Sequence, residues 1–291
     1  MFRGSIVALI TPFRNGLLDE NGLQDLVEWH IEQGTHGLVP VGTTGESPTL
    51  THDEHKRVVE LVVEAVNGRI PVIAGTGSNS TAEAIDFTVH AKKSGADAAL
   101  VVTPYYNKPT QAGLLAHYKE IAQAVDIPII IYNIPGRSVI DMSVETMAEL
   151  AGMPNIIGVK DATADLIRPV LTTAACGKDF VQLTGEDAST LAFLAQGGQG
   201  AITVTGNVAP RLCAEMQEAW QRADPNEALA IHQRLMPLHQ ALFIEASPAP
   251  TKYALSRLGK ASAELRLPLV ECSEGAKRAV DQAMVSAGLI N

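Results

Sequence analysis

Between residues 5 and 204, short apolar runs alternate with longer stretches of helical spacing, and no other feature constrains the fold as much. Parallel strands need a crossover connection between neighbours, and a helix supplies it, so strand-then-helix repetition implies a parallel sheet. Residues 5–11, 37–41, 70–74, 98–102, 127–132, 155–161, 180–183 and 201–204 read as strands. Helices are predicted over 23–33, 51 or 52 to 66, 81–94, 111–125, 143–150, 164–175 and 188–195. In the first, Leu23, Leu26, Val27, Trp29 and His30 recur at helical spacing and the run stops at Gly34. In the third, Ser80 or Thr81 is the N-cap and Glu83 complements the positive end of the dipole.

Eight such strands suit a closed (β/α)8 barrel of the TIM type, and 291 residues exceed its usual length only slightly. An open, doubly wound sheet is the competing α/β fold, but no G-x-G-x-x-G opens a helix in the first strand-to-helix loop to hold a dinucleotide. After about Asp224 the rhythm changes. Residues 227–243, 248–258 and 273–287 read as helices without intervening strands, and Pro268 breaks the stretch between them. The expected division is therefore a catalytic barrel over 1–223 and a small all-helical domain over 224–291.

The charge balance narrows the function. Lys+Arg 22 against Asp+Glu 32 gives a net charge of −10, so no overall positive field gathers nucleic acid or anionic lipid. No run approaches membrane-spanning length and the start has no signal-peptide pattern, which predicts a cytoplasmic protein. Cys176, Cys213 and Cys272 are odd in number and widely separated, each placed by the pattern in a helix, which fits reduced thiols rather than disulfides or a metal site. The histidines lack a metal spacing, and no H-E-x-x-H, G-x-S-x-G or P-loop pattern occurs.

Lys160 is the odd member of the run Asn155-Ile156-Ile157-Gly158-Val159-Lys160-Asp161. An ammonium at the end of a buried strand must find a partner, shed its proton, or open onto solvent and substrate. The last two outcomes suit a nucleophilic amine that forms a Schiff base, whereas a lysine snorkelling into water is the bland alternative. In a barrel, the C-terminal ends of the strands converge on one mouth. Those ends carry Gly42-Thr43-Thr44-Gly45-Glu46-Ser47, Thr103-Pro104-Tyr105-Tyr106-Asn107, Tyr132-Asn133-Ile134-Pro135-Gly136-Arg137, Thr184-Gly185-Glu186-Asp187 and the strand Gly200-Ala201-Ile202-Thr203. The double threonine is either a turn that caps the next helix or a carboxylate cradle. Tyr106 and Tyr132 are either packing residues or phenols of a proton relay. Arg137 is either a solvated loop charge or a fork for a substrate carboxylate. Gly197-Gly198-Gln199-Gly200 precedes its strand, unlike a barrel phosphate site, and reads as a tight turn.

The motifs G-T-T-G-E-S, T-P-Y-Y-N-K-P, Y-N-I-P-G-R and G-V-K-D-A stand in this order across the chain, and the whole resembles the dihydrodipicolinate synthase family. That family lies within the pyruvate-dependent Schiff-base lyases that include N-acetylneuraminate lyase. The resemblance implies that Lys160 forms an imine with pyruvate and that Thr43, Tyr132 and Tyr106 relay protons, Tyr106 being inserted into a neighbouring subunit. It implies that Thr44 and the main chain at Ile202 hold the pyruvate carboxylate, that Gly185 lines the pocket, and that Arg137 engages L-aspartate 4-semialdehyde. It implies a homotetramer built as a dimer of dimers, with no metal or organic cofactor. Ser47, His52, His55, Asn79, Glu83 and Tyr105 match positions that bind the inhibitor L-lysine in sensitive members, while Pro48 departs from the small residue, such as alanine, that such members often carry. A related aldolase that releases pyruvate from N-acetylneuraminate or a 2-keto-3-deoxy acid is the alternative activity, and a non-catalytic metabolite-binding barrel the alternative class.

Overall fold

In the computed structural model, which describes residues 2–291, all eight predicted strands form and run parallel in one sheet, with helices between them. Contacts divide the described residues into two compact units: residues 2–3 with Pro71–Ile202, and Gly4–Ile70 with Thr203–Asn291.

In the first unit the strands Ile73–Gly75, Ala98–Val102, Ile129–Asn133, Ile156–Asp161, Val181–Thr184 and Gly200–Thr203 pair in chain order. Successive residues of a strand point to opposite faces. One set, Ala99, Val101, Ile129, Ile131 and Val159, is buried in a cluster with Leu114, Tyr118 and Ile121 of helix Gln111–Ala124 and Met147 and Leu150 of helix Val144–Ala151. The helical residues recur at i, i+4 and i+7, so one stripe meets the sheet. The Tyr118 hydroxyl, carried into that core, donates to the Val101 carbonyl at 2.7 Å. The alternate set, Ile130, Tyr132, Gly158 and Lys160, faces the other way, and the register pairs Tyr132 with Lys160.

In the second unit the strands Gly4–Ala8 and Gly37–Val39 pair in parallel, and helices Glu20–Glu32 and His52–Val66 follow them. The second of these helices opens on a capping box, Thr51 accepting from the Glu54 backbone and Glu54 from that of Thr51. Helices Pro225–Ala241, Ala249–Arg257 and Glu274–Ser286 fulfil the predicted C-terminal run, and Leu235, Leu238, Ala254, Val280 and Met284 form their core.

Some features escaped the pattern. Cys213 lies in a helix as expected, Pro210–Gln221, whose bounds the pattern did not give and whose Cys213 joins that same core, while the hairpin pairing Phe13–Arg14 with Leu17–Leu18 and the short helix Pro135–Ser138 were not anticipated. The helix predicted from residue 164 begins instead at Arg168. Asp161, Thr163 and Asp165 side chains accept from the backbone N–H groups of Thr163, Asp165 and Ile167, a local alternative to helical bonds. Cys272 lies just before helix Glu274–Ser286 rather than within it.

Candidate active site

The Lys160 side chain is buried with 5% exposure, and its Nζ lies 4.1 Å from the centroid of the Tyr132 ring. Both residues stand at the C-terminal ends of adjacent strands, so the backbone register brings amine and phenol together. Snorkelling into water, the bland alternative, does not describe a lysine held against a ring at this depth. An amine so placed can add to a carbonyl carbon while the neighbouring phenol carries protons to and from it.

Gly185 completes this corner. A Cβ built on it would stand 2.9 Å from Lys160 Cε and 2.8 Å from the Ala162 Cβ, so only a residue without a side chain leaves the lysine its path. Its N–H donates to the Asp161 carbonyl at 2.6 Å, joining the loop after Val181–Thr184 to the strand of Lys160.

Asp161 was not singled out from the sequence, although it follows Lys160 directly. Its carboxylate is buried and accepts from Arg168 Nε at 2.9 Å and from the Thr163 backbone and hydroxyl at 2.9 and 2.6 Å. Arg168 also donates to the Met142 carbonyl at 2.8 Å, while the Met142 N–H donates to Asn133 Oδ1 at 3.0 Å. This mesh holds the strand ends that carry Tyr132 and Lys160 from their other face. A signal for it existed: a second charge in an apolar run also needs a buried partner.

Arg137 is exposed in the helix Pro135–Ser138, whose Ser138 hydroxyl donates to the Ile134 and Ile140 carbonyls at 2.9 Å and shapes the loop. Ile202 is fully buried in the strand Gly200–Thr203. Tyr106 stands apart from Tyr132: its backbone is left-handed at φ 70 and its side chain is 88% exposed. Tyr105, beside it, turns inward, and burial raises its phenol pKa, with the Glu83 carboxylate adding to the effect. Asn79 donates to the Tyr105 carbonyl at 3.3 Å, and the Ser78 hydroxyl donates to Glu83. Asn79, Glu83 and Tyr105 are thus gathered in one place, next to Tyr106.

In the second unit Thr43 and Thr44 occupy a turn after the strand Gly37–Val39, Thr44 buried and Thr43 partly so. The turn is closed by bonds from Gly45 N–H to the Gly42 carbonyl and from Glu46 N–H to the Thr43 carbonyl, each 3.1 Å. Ser47 opens the short helix Ser47–Thr49, and His52 and the buried His55 lie in the first turn of His52–Val66.

The model of the Dihydrodipicolinate synthetase family matches residues 1–287. The chain belongs to that family. Over 290 residues it is 65% identical to the 4-hydroxy-tetrahydrodipicolinate synthase of Rhodospirillum centenum, covering 100% of both chains. The chloride-inhibited dihydrodipicolinate synthase of Acinetobacter baumannii, complexed with pyruvate, is 45% identical with a TM-score of 0.97 over 100% of both chains. DHDPS from Cyanidioschyzon merolae with lysine bound is 41% identical, with a TM-score of 0.96 over 99% of both chains. Likeness at this level shows the fold as well as the family: a (β/α)8 barrel with C-terminal helices.

Proposed function

We propose that this family member is a 4-hydroxy-tetrahydrodipicolinate synthase, which condenses pyruvate with L-aspartate 4-semialdehyde in the diaminopimelate route to L-lysine. The observation that carries this reading is Lys160, buried with its Nζ against the Tyr132 ring and given room by Gly185. The amine adds to the pyruvate ketone and water leaves, giving an imine. Loss of a methyl proton gives the enamine, whose carbon attacks the aldehyde of the second substrate. The substrate's own amine then adds to the imine carbon and displaces Lys160, closing the ring and freeing the enzyme.

Thr43, Tyr132 and Tyr106 move the protons, Thr44 and the Ile202 main chain hold the pyruvate carboxylate, and Arg137 takes the carboxylate of the semialdehyde. The exposure of Tyr106 fits a phenol that serves a neighbouring subunit. The family resemblance supports a homotetramer, a dimer of dimers, in the cytoplasm. L-lysine inhibits through Ser47, His52, His55, Asn79, Glu83 and Tyr105, and the carboxylate of Glu83 suits its ammonium. Residues 1–223 form the catalytic domain and 224–291 the helical one. The sugar-acid aldolase is not favoured, since a relative 65% identical over the full chain is named as the synthase.

The test is substrate choice. Pyruvate is supplied with L-aspartate 4-semialdehyde, and N-acetylneuraminate or a 2-keto-3-deoxy acid is supplied in parallel. Consumption of the semialdehyde is expected, and consumption of the sugar acid alone overturns the proposal.

A further inference from the structure

Glu46 ends the Gly42-Thr43-Thr44-Gly45 turn in a strained conformation. Its φ is 55, in the left-handed region, and Val41 at the other end of the turn has φ 49. For residues with a Cβ such geometry is disfavoured and persists only where the surroundings enforce it. Part of the enforcement is local: the Thr11 hydroxyl donates to the Gly45 carbonyl at 2.7 Å, and a Cβ on Gly45 would meet the Leu9 carbonyl at 3.1 Å.

The side chain of Glu46 is tied to the segment 249–266. It is fully buried and ion-paired with Lys252 Nζ, also fully buried. The Arg266 N–H donates to the second Glu46 oxygen at 3.1 Å, and Lys252 Nζ donates to the Glu264 carbonyl at 2.8 Å. Phe13 presents its ring to both cations, 4.1 Å from Lys252 Nζ and 4.3 Å from the Arg266 guanidinium carbon. Arg266 is itself clamped by both oxygens of Glu54, at 2.6 and 2.7 Å, and donates to the Thr49 carbonyl at 3.1 Å.

Burial drives the Lys252 ammonium down in pKa while the Glu46 carboxylate pulls it back, as in a pair whose Coulombic gain mainly repays desolvation. Buried ion pairs are often replaceable by apolar residues of the same volume at no loss of stability, so stability is weak grounds for the pair. What apolar residues would not do is hold the Glu46 backbone in one strained position, two residues from Thr44 and three from Thr43.

We propose that Lys252 and Arg266 are positioning residues for the condensation: through Glu46 they fix the Thr43-Thr44 turn, and so govern how firmly the keto acid's carboxylate is held. The inference rests on the reading that Thr44 binds that carboxylate.

The test is the double variant Glu46→Gln/Lys252→Met, which removes both charges at nearly constant volume. Cooperative thermal unfolding close to that of the wild type is expected, with KM for pyruvate raised about tenfold or more and KM for the semialdehyde changed by less than about twofold. Borohydride should still trap pyruvate on Lys160 of this variant at saturating concentration. A pyruvate KM within about twofold of wild type overturns the proposal, even if stability falls, because that is the signature of a merely structural pair. If the double variant does not fold, Phe13→Leu decides: a pyruvate KM raised about threefold supports the proposal and an unchanged one overturns it. Absence of a pyruvate adduct in the wild type would remove the underlying reading and this inference with it, a result distinct from an unaltered KM in the variant.

Discussion

Replacing Gly185 by alanine tests the geometry around the reactive amine with a single methyl group. The Gly185 backbone lies outside the left-handed region, so the substitution meets no torsional penalty and its effect is steric. The new Cβ would stand 2.9 Å from Lys160 Cε and 2.8 Å from the Ala162 Cβ, about half an ångström inside ordinary contact. The Lys160 side chain can turn aside, but Ala162 has no flexible side chain to do so, so the lysine is displaced and the backbone of the Gly185 loop must shift as well. Overpacking of this kind costs roughly 1–3 kcal/mol, partly offset by about 0.4–1 kcal/mol from the lower entropy of the unfolded chain. A misplacement of about 1 Å at a reacting atom can cost about 100-fold in rate, so a shift of about half that predicts a loss of about 10- to 100-fold in kcat/KM, equivalent to about 1.4–2.8 kcal/mol in the barrier. Steady-state turnover with pyruvate and L-aspartate 4-semialdehyde measures it, and thermal unfolding checks that the fold survives. A kcat/KM within about twofold of wild type in a folded variant would refute the placement of Gly185 against the amine.

Three further expectations concern the residues around it. Tyr132→Phe keeps the ring against Lys160 and removes the hydroxyl, so kcat should fall about 100-fold or more while pyruvate still forms the trapped adduct; near-normal kcat would contradict the relay. Arg168→Met strands the buried Asp161 carboxylate and should lower stability by roughly 3–5 kcal/mol in urea unfolding, and a loss under about 1 kcal/mol would show that Asp161 does not depend on it. His30, pushed from 6.5 down to about 3 by burial, stays neutral in the fold, so below about pH 6.5 only the unfolded chain takes up its proton. Its contribution is therefore complete above about pH 6.5 and lost as the pH falls toward 3, and His30→Leu should flatten the decline of stability across that window, where parallel curves would count against the burial effect.

What could be read from residues alone follows physical lines. Strands buried on both faces are near-continuous runs of β-branched residues, which is why Ile129–Asn133 and Ile156–Asp161 were legible to within two residues. Lys160 was visible because a charge interrupts such a run. Gly185 became a site residue through the resemblance, and the clash that requires a glycine there is a fact of three dimensions. Helix Pro210–Gln221 showed only as a helical setting for Cys213, without bounds, because the strand rhythm ends there and its buried Gln217 interrupts the apolar stripe. Long-range ion pairs leave the weakest trace. Nothing local to Glu46 announces Lys252 or Arg266, roughly two hundred residues away, whereas Asp161 in an apolar run at least signals that a buried partner must exist.

The central claim concerns one nitrogen, and intact-mass spectrometry after borohydride reduction with pyruvate addresses it most directly. A single reduced pyruvate adduct per chain is predicted, mapping to Lys160 and absent from Lys160→Ala. An unmodified wild-type chain, or an adduct that persists in Lys160→Ala, would contradict the account.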